Sequence, residues 1–391
     1  MATASLLGPA SAFGPASAFR PALAPLAALA IAVALDLALA EPPARVHPVA
    51  LFGSVVGRFD RDDFARPRLV GVAVAVGLPL VAAAVAGGLV AVAGSPRSRV
   101  FAVLSVSVAG ALLFSTVSLR MLLATTAEVV DLTETDPDAA RESVRALAGR
   151  DATALSPADL RSAAIESAAE NLADGFVAPL SGFALGATLG LAVGPKNGLV
   201  ADPAIGFAVG GSGAPLPLVA GVAGAVWVKA VNTLDSMLGY RSKPVGWASA
   251  RLDDAVMFLP ARATAICLAL AAGGVGAVGP LRRTAAWAGS PESPNSGWPM
   301  ATAAAALDVR LEKPGHYALN PDASPPSVAD GRTAIRLVGV AGGVAVALVT
   351  GWLAAVGWLA AGRLSAVGWL AAGRLSAAGL LVTPAGVVGW S

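Results

Sequence analysis

The sequence predicts an all-α fold: a polytopic bundle of membrane helices with polar helical loops on the cytoplasmic side. Three observations carry this. Hydrophobic residues make up 56% of the 391 and charged residues 13%, with a mean hydropathy of +0.71. Soluble domains average about 25% charged residues, and a water-exposed surface on a chain of this length demands a polar shell that this composition cannot supply. Several apolar runs reach the roughly twenty residues a membrane helix needs. Arginines concentrate in alternate loops, as they do on the cytoplasmic side of membranes. The expected location is therefore the cell membrane, multi-pass, with the lipid bilayer as solvent.

Taken in order, residues 1–20 repeat GPASAF and form a low-complexity leader. Residues 21–40 are apolar except for Asp36 and form a first span; a carboxylate there is costly in lipid and must face protein or water. Residues 69–94 and 100–119 are two strong spans joined by the turn sequence GSPRSR. Residues 120–174 turn polar, and Pro137 and Pro157 mark first helical turns. Residues 175–194 and 211–231 are weaker, glycine-rich apolar runs. Residues 263–278 are apolar but too short for a span, so they are expected to be re-entrant or buried in protein. The tail carries AVGWLAAGRLS at Ala355–Ser365 and again at Ala366–Ser376, read as a slippage duplication in lipid-facing sequence. The resulting organisation is a leader (1–20), a membrane-embedded catalytic unit (21–354) with cytoplasmic loops 41–68, 120–174, 232–262 and 281–336, and an apolar tail (355–391). Arg45, Arg58, Arg61, Arg66 and Arg68 in the first loop, and Arg120, Arg141, Arg145, Arg150 and Arg161 in the third, set that orientation.

The scarce residue types exclude whole chemistries. One cysteine, Cys267, permits no intrachain disulfide, paired-cysteine zinc site or iron–sulfur cluster. Two histidines, His47 and His316, rule out a polyhistidine metal site. A bound metal must be held by carboxylates, which suits Mg²⁺. A net charge of +2 gives no footprint for nucleic acid. GLAVGPKNG lacks the spacing and the Lys-Ser/Thr of a phosphate loop, so no ATP motif is visible, and no GxSxG elbow occurs.

Four polar clusters lie beside membrane segments. The first runs from Asp36 to Gly53 and contains His47. The second, ESAAENLADG, places Glu166, Glu170 and Asp174 at successive fourth positions, one stripe of a helix, with Asn171 beside them. Like charges at that spacing repel, so a divalent cation or a cationic partner is expected to balance them; a solvated acidic face is the alternative. The third, NTLDSMLGY followed by SARLDDAVMFLPAR, contributes Asn232, Asp235, Arg251, Asp253, Asp254 and Arg262. Paired carboxylates flanked by guanidinium groups suit a phosphate held jointly by metal and arginine; a juxtamembrane salt-bridge network is the plain alternative. The fourth, SPNSGWPMA, offers Asn295 and Ser296 in a Pro-bounded loop.

In this order the stretches EPPARVHPVALFG, ARESVRALAGRD, ESAAENLADGFVAPL, NTLDSMLGY, ARLDDAVMFLPAR and SPNSGWPMA resemble the adenosylcobinamide-phosphate synthase family, of the CobD/CbiB type, over most of the chain. The family often has Gly-Asp-Pro where this chain reads Ala40-Glu41-Pro42, and an Asn where it has Met257. The resemblance implies a carbon–nitrogen ligase of cobalamin biosynthesis that joins adenosylcobyric acid, a corrinoid, to (R)-1-aminopropan-2-ol or its O-phosphate. It implies ATP and Mg²⁺ as cofactors and other cobalamin-assembly enzymes as partners. Catalysis is then expected from Glu166, Glu170, Asp174, Asp253 and Asp254, with Mg²⁺ on Glu166, Glu170 and Asp174. His47, Asn171, Asn232, Asp235, Arg251, Arg262, Asn295 and Ser296 are expected to bind substrate or phosphate. The alternative from another class is a Mg²⁺-dependent membrane transferase acting on a pyrophosphate, like a polyprenyltransferase. Its paired DxxD motifs are not seen here. A transporter is a third reading, which placing all four clusters on one membrane face would disfavour.

Overall fold

The structure, a computed structural model, describes residues 20–379 apart from 44, 62, 95–98, 149–151, 194–214, 241 and 274–277. The expected leader, the GSPRSR turn, much of GLAVGPKNG and the end of the tail therefore lie outside the described residues. Fourteen α-helices and one small hairpin make up the described fold, and the all-α expectation holds. Six helical stretches are long and apolar enough to cross a bilayer: 22–39, 67–93, 100–135, 157–193, 216–238 and 328–360. The protein is thus a multi-pass membrane protein.

The first helices are α1 (Arg20–Leu39), the short apolar α2 (Pro48–Val56), α3 (Pro67–Ala93), α4 (Arg99–Phe114) and α5 (Leu119–Thr135). There follow α6 (Pro137–Ala148), α7 (Pro157–Leu172), a π-helical turn at Ala173–Val177, and α8 (Ala178–Val193). Pro137 and Pro157 open α6 and α7, where a missing N–H costs nothing. Ser156 caps α7 in a reciprocal box with Asp159. Two candidate spans, 100–135 and 157–193, reach into the polar 120–174 segment, because α5 and α7 prolong the membrane helices beyond the roughly twenty residues a bilayer needs.

The second half comprises α9 (Leu216–Leu238), α10 (Trp247–Val256), α11 (Phe258–Gly273), α12 (Val278–Trp287) and α13 (Gly297–Leu307). The antiparallel hairpin β1 (Leu311–Lys313) and β2 (Tyr317–Leu319) comes next, and the long α14 (Val328–Gly379) closes the chain. The hairpin turns at Pro314-Gly315, with Gly315 at φ +76°, a conformation that favours glycine. Helix α14 runs without a break through both copies of the duplicated 11-mer.

The centre of the bundle is the α8–α9 pair. Gly182, Gly186 and Gly190 recur every fourth residue and so line one edge of α8. A Cβ at Gly182 would lie 2.7 Å from the Gly224 carbonyl oxygen, and one at Gly190 2.7 Å from Pro217 Cα. Gly186 packs likewise against the Ala220 carbonyl. In lipid, where helices gain little from hiding apolar surface, such backbone contact drives association.

Contacts between elements order the helix ends. Gly53 meets Met237 and Gly71 meets Val245, which brings α2, the start of α3 and the end of α9 together. Ser118, between α4 and α5, donates its backbone N–H to Gly175 O at 3.1 Å. The end of α1 is tied to the start of α5, where Arg120 Nη1 donates to Leu37 O and Ala38 O, both at 2.6 Å. Asp36, only 1% exposed, accepts the Arg120 backbone N–H at 3.3 Å. It thus faces protein, as its position in an apolar run requires. The ends of α1, α4 and α9 and the starts of α3 and α8 therefore gather at one end of the bundle.

Candidate functional site

A polar layer fills that end. Asn232, on the last turns of α9 and 7% exposed, donates from Nδ2 to Asp174 Oδ2 at 3.1 Å and also bonds Asp253 on α10. Asp174 reaches α9 because the π-turn begins at Ala173, widening the coil and turning the carboxylate out of the α7 stripe. Asp235 stands three residues after Asn232 on α9, and the charges of Asp174, Asp235, Asp253 and Asp254 act on one another. Gly239 makes room for this arrangement, since a Cβ there would collide with the Asp235 carboxylate. Asp253 Oδ1 is buried with no hydrogen-bond partner among the described residues. A buried carboxylate oxygen so placed costs free energy that a ligand can recover.

The fourth sequence cluster joins this layer directly. Asn295, 5% exposed, donates from Nδ2 to the Asp254 carbonyl at 2.8 Å and accepts from Arg262 Nη1 at 3.0 Å. The Arg262 guanidinium stacks 3.6 Å over the Phe258 ring and 5.0 Å from Trp298, which fixes its plane. Ser293 Oγ accepts the N–H groups of Asn295 and Ser296. Arg251 pairs with Asp254 at 3.6 Å on exposed α10. These bonds put SPNSGWP beside ARLDDAVMFLPAR. Helix α11, which holds most of the apolar run 263–278, is bent by 46° from the preceding helix and buries Thr264, Ala265, Cys267, Leu268 and Ala269 in protein. Residues 274–277 of that run are outside the described residues.

On the α1 side, Ala40 sits at φ +66° with its N–H on Asp36 O at 2.9 Å. This left-handed helix end is a conformation where glycine is favoured over alanine. Glu41 follows and faces Lys229. His47 caps α2, its Nδ1 accepting the Val49 N–H at 3.2 Å. Burial pushes the imidazole pKa down, Lys229 acts in the same direction, and Glu41 opposes both. The fold thus favours the neutral ring, and its contribution is lost as pH falls below the free-imidazole value of about 6.5.

The predicted Glu166, Glu170 and Asp174 stripe is not one ligand set. Glu166, 1% exposed, accepts Ser162 Oγ at 3.2 Å and Tyr317 OH at 3.1 Å, and Ser162 Oγ takes the Glu312 N–H at 2.7 Å. Its carboxylate fastens the hairpin to α7. Asn171 donates back to Ser167 O at 2.9 Å, while Glu170 is half-buried on the same helix. Among the described residues no three His, Cys, Asp or Glu side chains are arranged to hold a metal by themselves. Mg²⁺, however, commonly uses one or two carboxylates and completes its shell with water and substrate phosphate. Asp174 and Asp253, with the orphaned Oδ1, fit that donor set; Glu166 does not. Sequence reasoning missed Lys229, a cation of this layer, although a lone lysine in the apolar stretch GAVWVKAV is a functional signal in itself.

The profile described as CobD/Cbib protein matches residues 29–338, a range that holds every residue of this polar layer. The probable cobalamin biosynthesis protein CobD of Methanothrix thermoacetophila is 34% identical over 311 residues, covering 76% of this chain and 87% of that protein. The cobalamin biosynthesis protein CobD of Dehalococcoides mccartyi is 34% identical over 298 residues, 73% of this chain and 83% of its own length. That of Mycobacterium tuberculosis is 35% identical over 309 residues, covering 75% and 85%. No solved structure matches. The ordered motifs, the matched range and this coverage lead to one conclusion: the chain belongs to the CobD/CbiB protein family.

Proposed function

We propose that this protein acts in cobalamin biosynthesis as adenosylcobinamide-phosphate synthase, a carbon–nitrogen ligase. It would form the amide between adenosylcobyric acid and (R)-1-aminopropan-2-ol or its O-phosphate. Family membership and the names of the relatives support the pathway. The observation that favours amide chemistry is the charge imbalance of the polar layer. Asp174, Asp253 and Glu41 act on one lysine, and Asp253 Oδ1 is buried without a partner among the described residues. Such a layer suits a cationic amine, a divalent cation, or both.

A free carboxylate must be activated before an amine can displace an oxygen from it; ATP with Mg²⁺ would supply that activation. Asp174 and Asp253 are the residues that would hold the cation. Asp253 and Asp254 would also accept N–H bonds from the amine and keep it aimed, and proximity of this kind contributes several kcal/mol to a bimolecular step. Arg262, held flat by Phe258 and Trp298, and Arg251 would bind phosphate. Asn232, Asn295, Asp235, His47, Asn171 and Ser296 would orient these groups, with Glu170 at the margin and Glu166 supporting the hairpin. The active face would be cytoplasmic, where ATP and other cobalamin-assembly enzymes are available. The test is direct: purified protein in lipid discs with adenosylcobyric acid, ATP, Mg²⁺ and either amine should yield a corrinoid heavier by the amine less one water. Absence of that product with both amines would sink the reading.

A further inference from the structure

Lys229 lies on α9 one turn before Asn232, half-buried in a helix long enough to span the membrane. Asp174, Glu41 and Asp253 act on its ammonium from three different elements, and its charge reaches His47. Yet it makes no ion pair within 4 Å to any of them among the described residues. A lysine serving only as counter-ion to buried carboxylates gains most by direct contact, because attraction at low dielectric rises steeply as the charges close. Three acidic groups outnumber the one ammonium, which cannot neutralise them all. A long side chain held beside a carboxylate cluster, without an ion pair to any member of it, is suited to an anion brought from outside.

Resting on the amide-synthase reading, we infer that Lys229 is the anion receptor of the site, contacting an anionic oxygen group of a substrate while the aspartates take the cationic partners. The class is a carboxylate or phosphate oxygen. The two sources are the carboxylate being amidated and the phosphate of a phosphorylated amine.

Kinetics of Lys229→Met and Lys229→Arg in lipid discs separate the sources. Loss of a charge-assisted bond raises the KM of the substrate it holds by roughly 10- to 100-fold, and arginine should restore most of that. A KM rise for adenosylcobyric acid alone assigns the carboxylate. A rise for aminopropanol phosphate, absent for unphosphorylated aminopropanol, assigns the phosphate. A fall in kcat with every KM unchanged, in a variant that accumulates and unfolds like the wild type, overturns the proposal. On the wild-type protein, reductive methylation of Lys229 should slow about tenfold, the lower end of that same range, with the held substrate at saturation. Equal rates with and without both substrates overturn it as well, whether or not Lys229→Met accumulates. Wild-type protein that makes no amide would instead remove the underlying reading, which keeps the two failures apart.

Discussion

The α8–α9 contact and the polar layer at the end of α9 are built on the same helix by opposite means. Between Leu216 and Val228, α9 presents glycines and small residues to α8, and the two backbones touch with no polar side chain between them. One turn later the helix carries Lys229, Asn232 and Asp235, and the packing there leaves a carboxylate oxygen unpartnered among the described residues. The first region is satisfied within itself and the second is not. A membrane protein can hold under-satisfied charge only where something rigid positions it, since flexible surroundings would let the charges pair or hydrate. The glycine contact is that support.

Three substitutions press on this contrast. The largest effect is expected from Gly186→Leu, which drives a side chain into the Ala220 carbonyl. We expect no folded protein in the membrane fraction, measured by size-exclusion chromatography of a fluorescent fusion; a monodisperse, active variant would show that the helices can separate without loss. Asp253→Asn should do the reverse. The protein should accumulate at wild-type levels while kcat falls by roughly 100-fold or more, in the range seen when a group stabilising developing charge is removed. Unchanged turnover would remove Asp253 from the site. The smallest effect belongs to Ala40→Gly. Relieving a left-handed alanine should stabilise by about 1 kcal/mol, read as a small rise in unfolding midpoint with activity retained. A fall in midpoint would mean that the φ of +66° carries no strain.

Much of this was legible in the sequence because membrane helices announce themselves by apolar length, and because Pro137, Pro157 and the arginine-rich loops carry local rules. Asn232, Asp253, Asp254, Arg262 and Asn295 were recognisable as polar groups beside spans, and they do meet. The bonds of Glu166 to Ser162 and Tyr317 could not be read from spacing, and the π-turn at Ala173–Val177, which carries Asp174, leaves no mark in residue type. The hairpin was passed over because its two strands are only three residues each, although Pro314-Gly315 is a turn signal. The bend at Met257 has a local cause that sequence reading passed over: Pro260 offers no N–H to the Val256 carbonyl and its ring crowds it, which breaks the helix there.

Helix α14 has a bearing on how the protein is made. Its Gly331 rests on Val130, Gly342 on Leu119 and Gly357 on Ala22 of α1, so α14 packs against a helix synthesised some three hundred residues earlier. The ribosome must deliver more than three hundred residues before those contacts can form. Until then α1 and α5 wait in the bilayer with one flank uncovered. Long-range closure of this kind is slow and exposes intermediates. Quality control during biogenesis should therefore be most sensitive to truncations near Val328, where the bundle is fully inserted but cannot yet close.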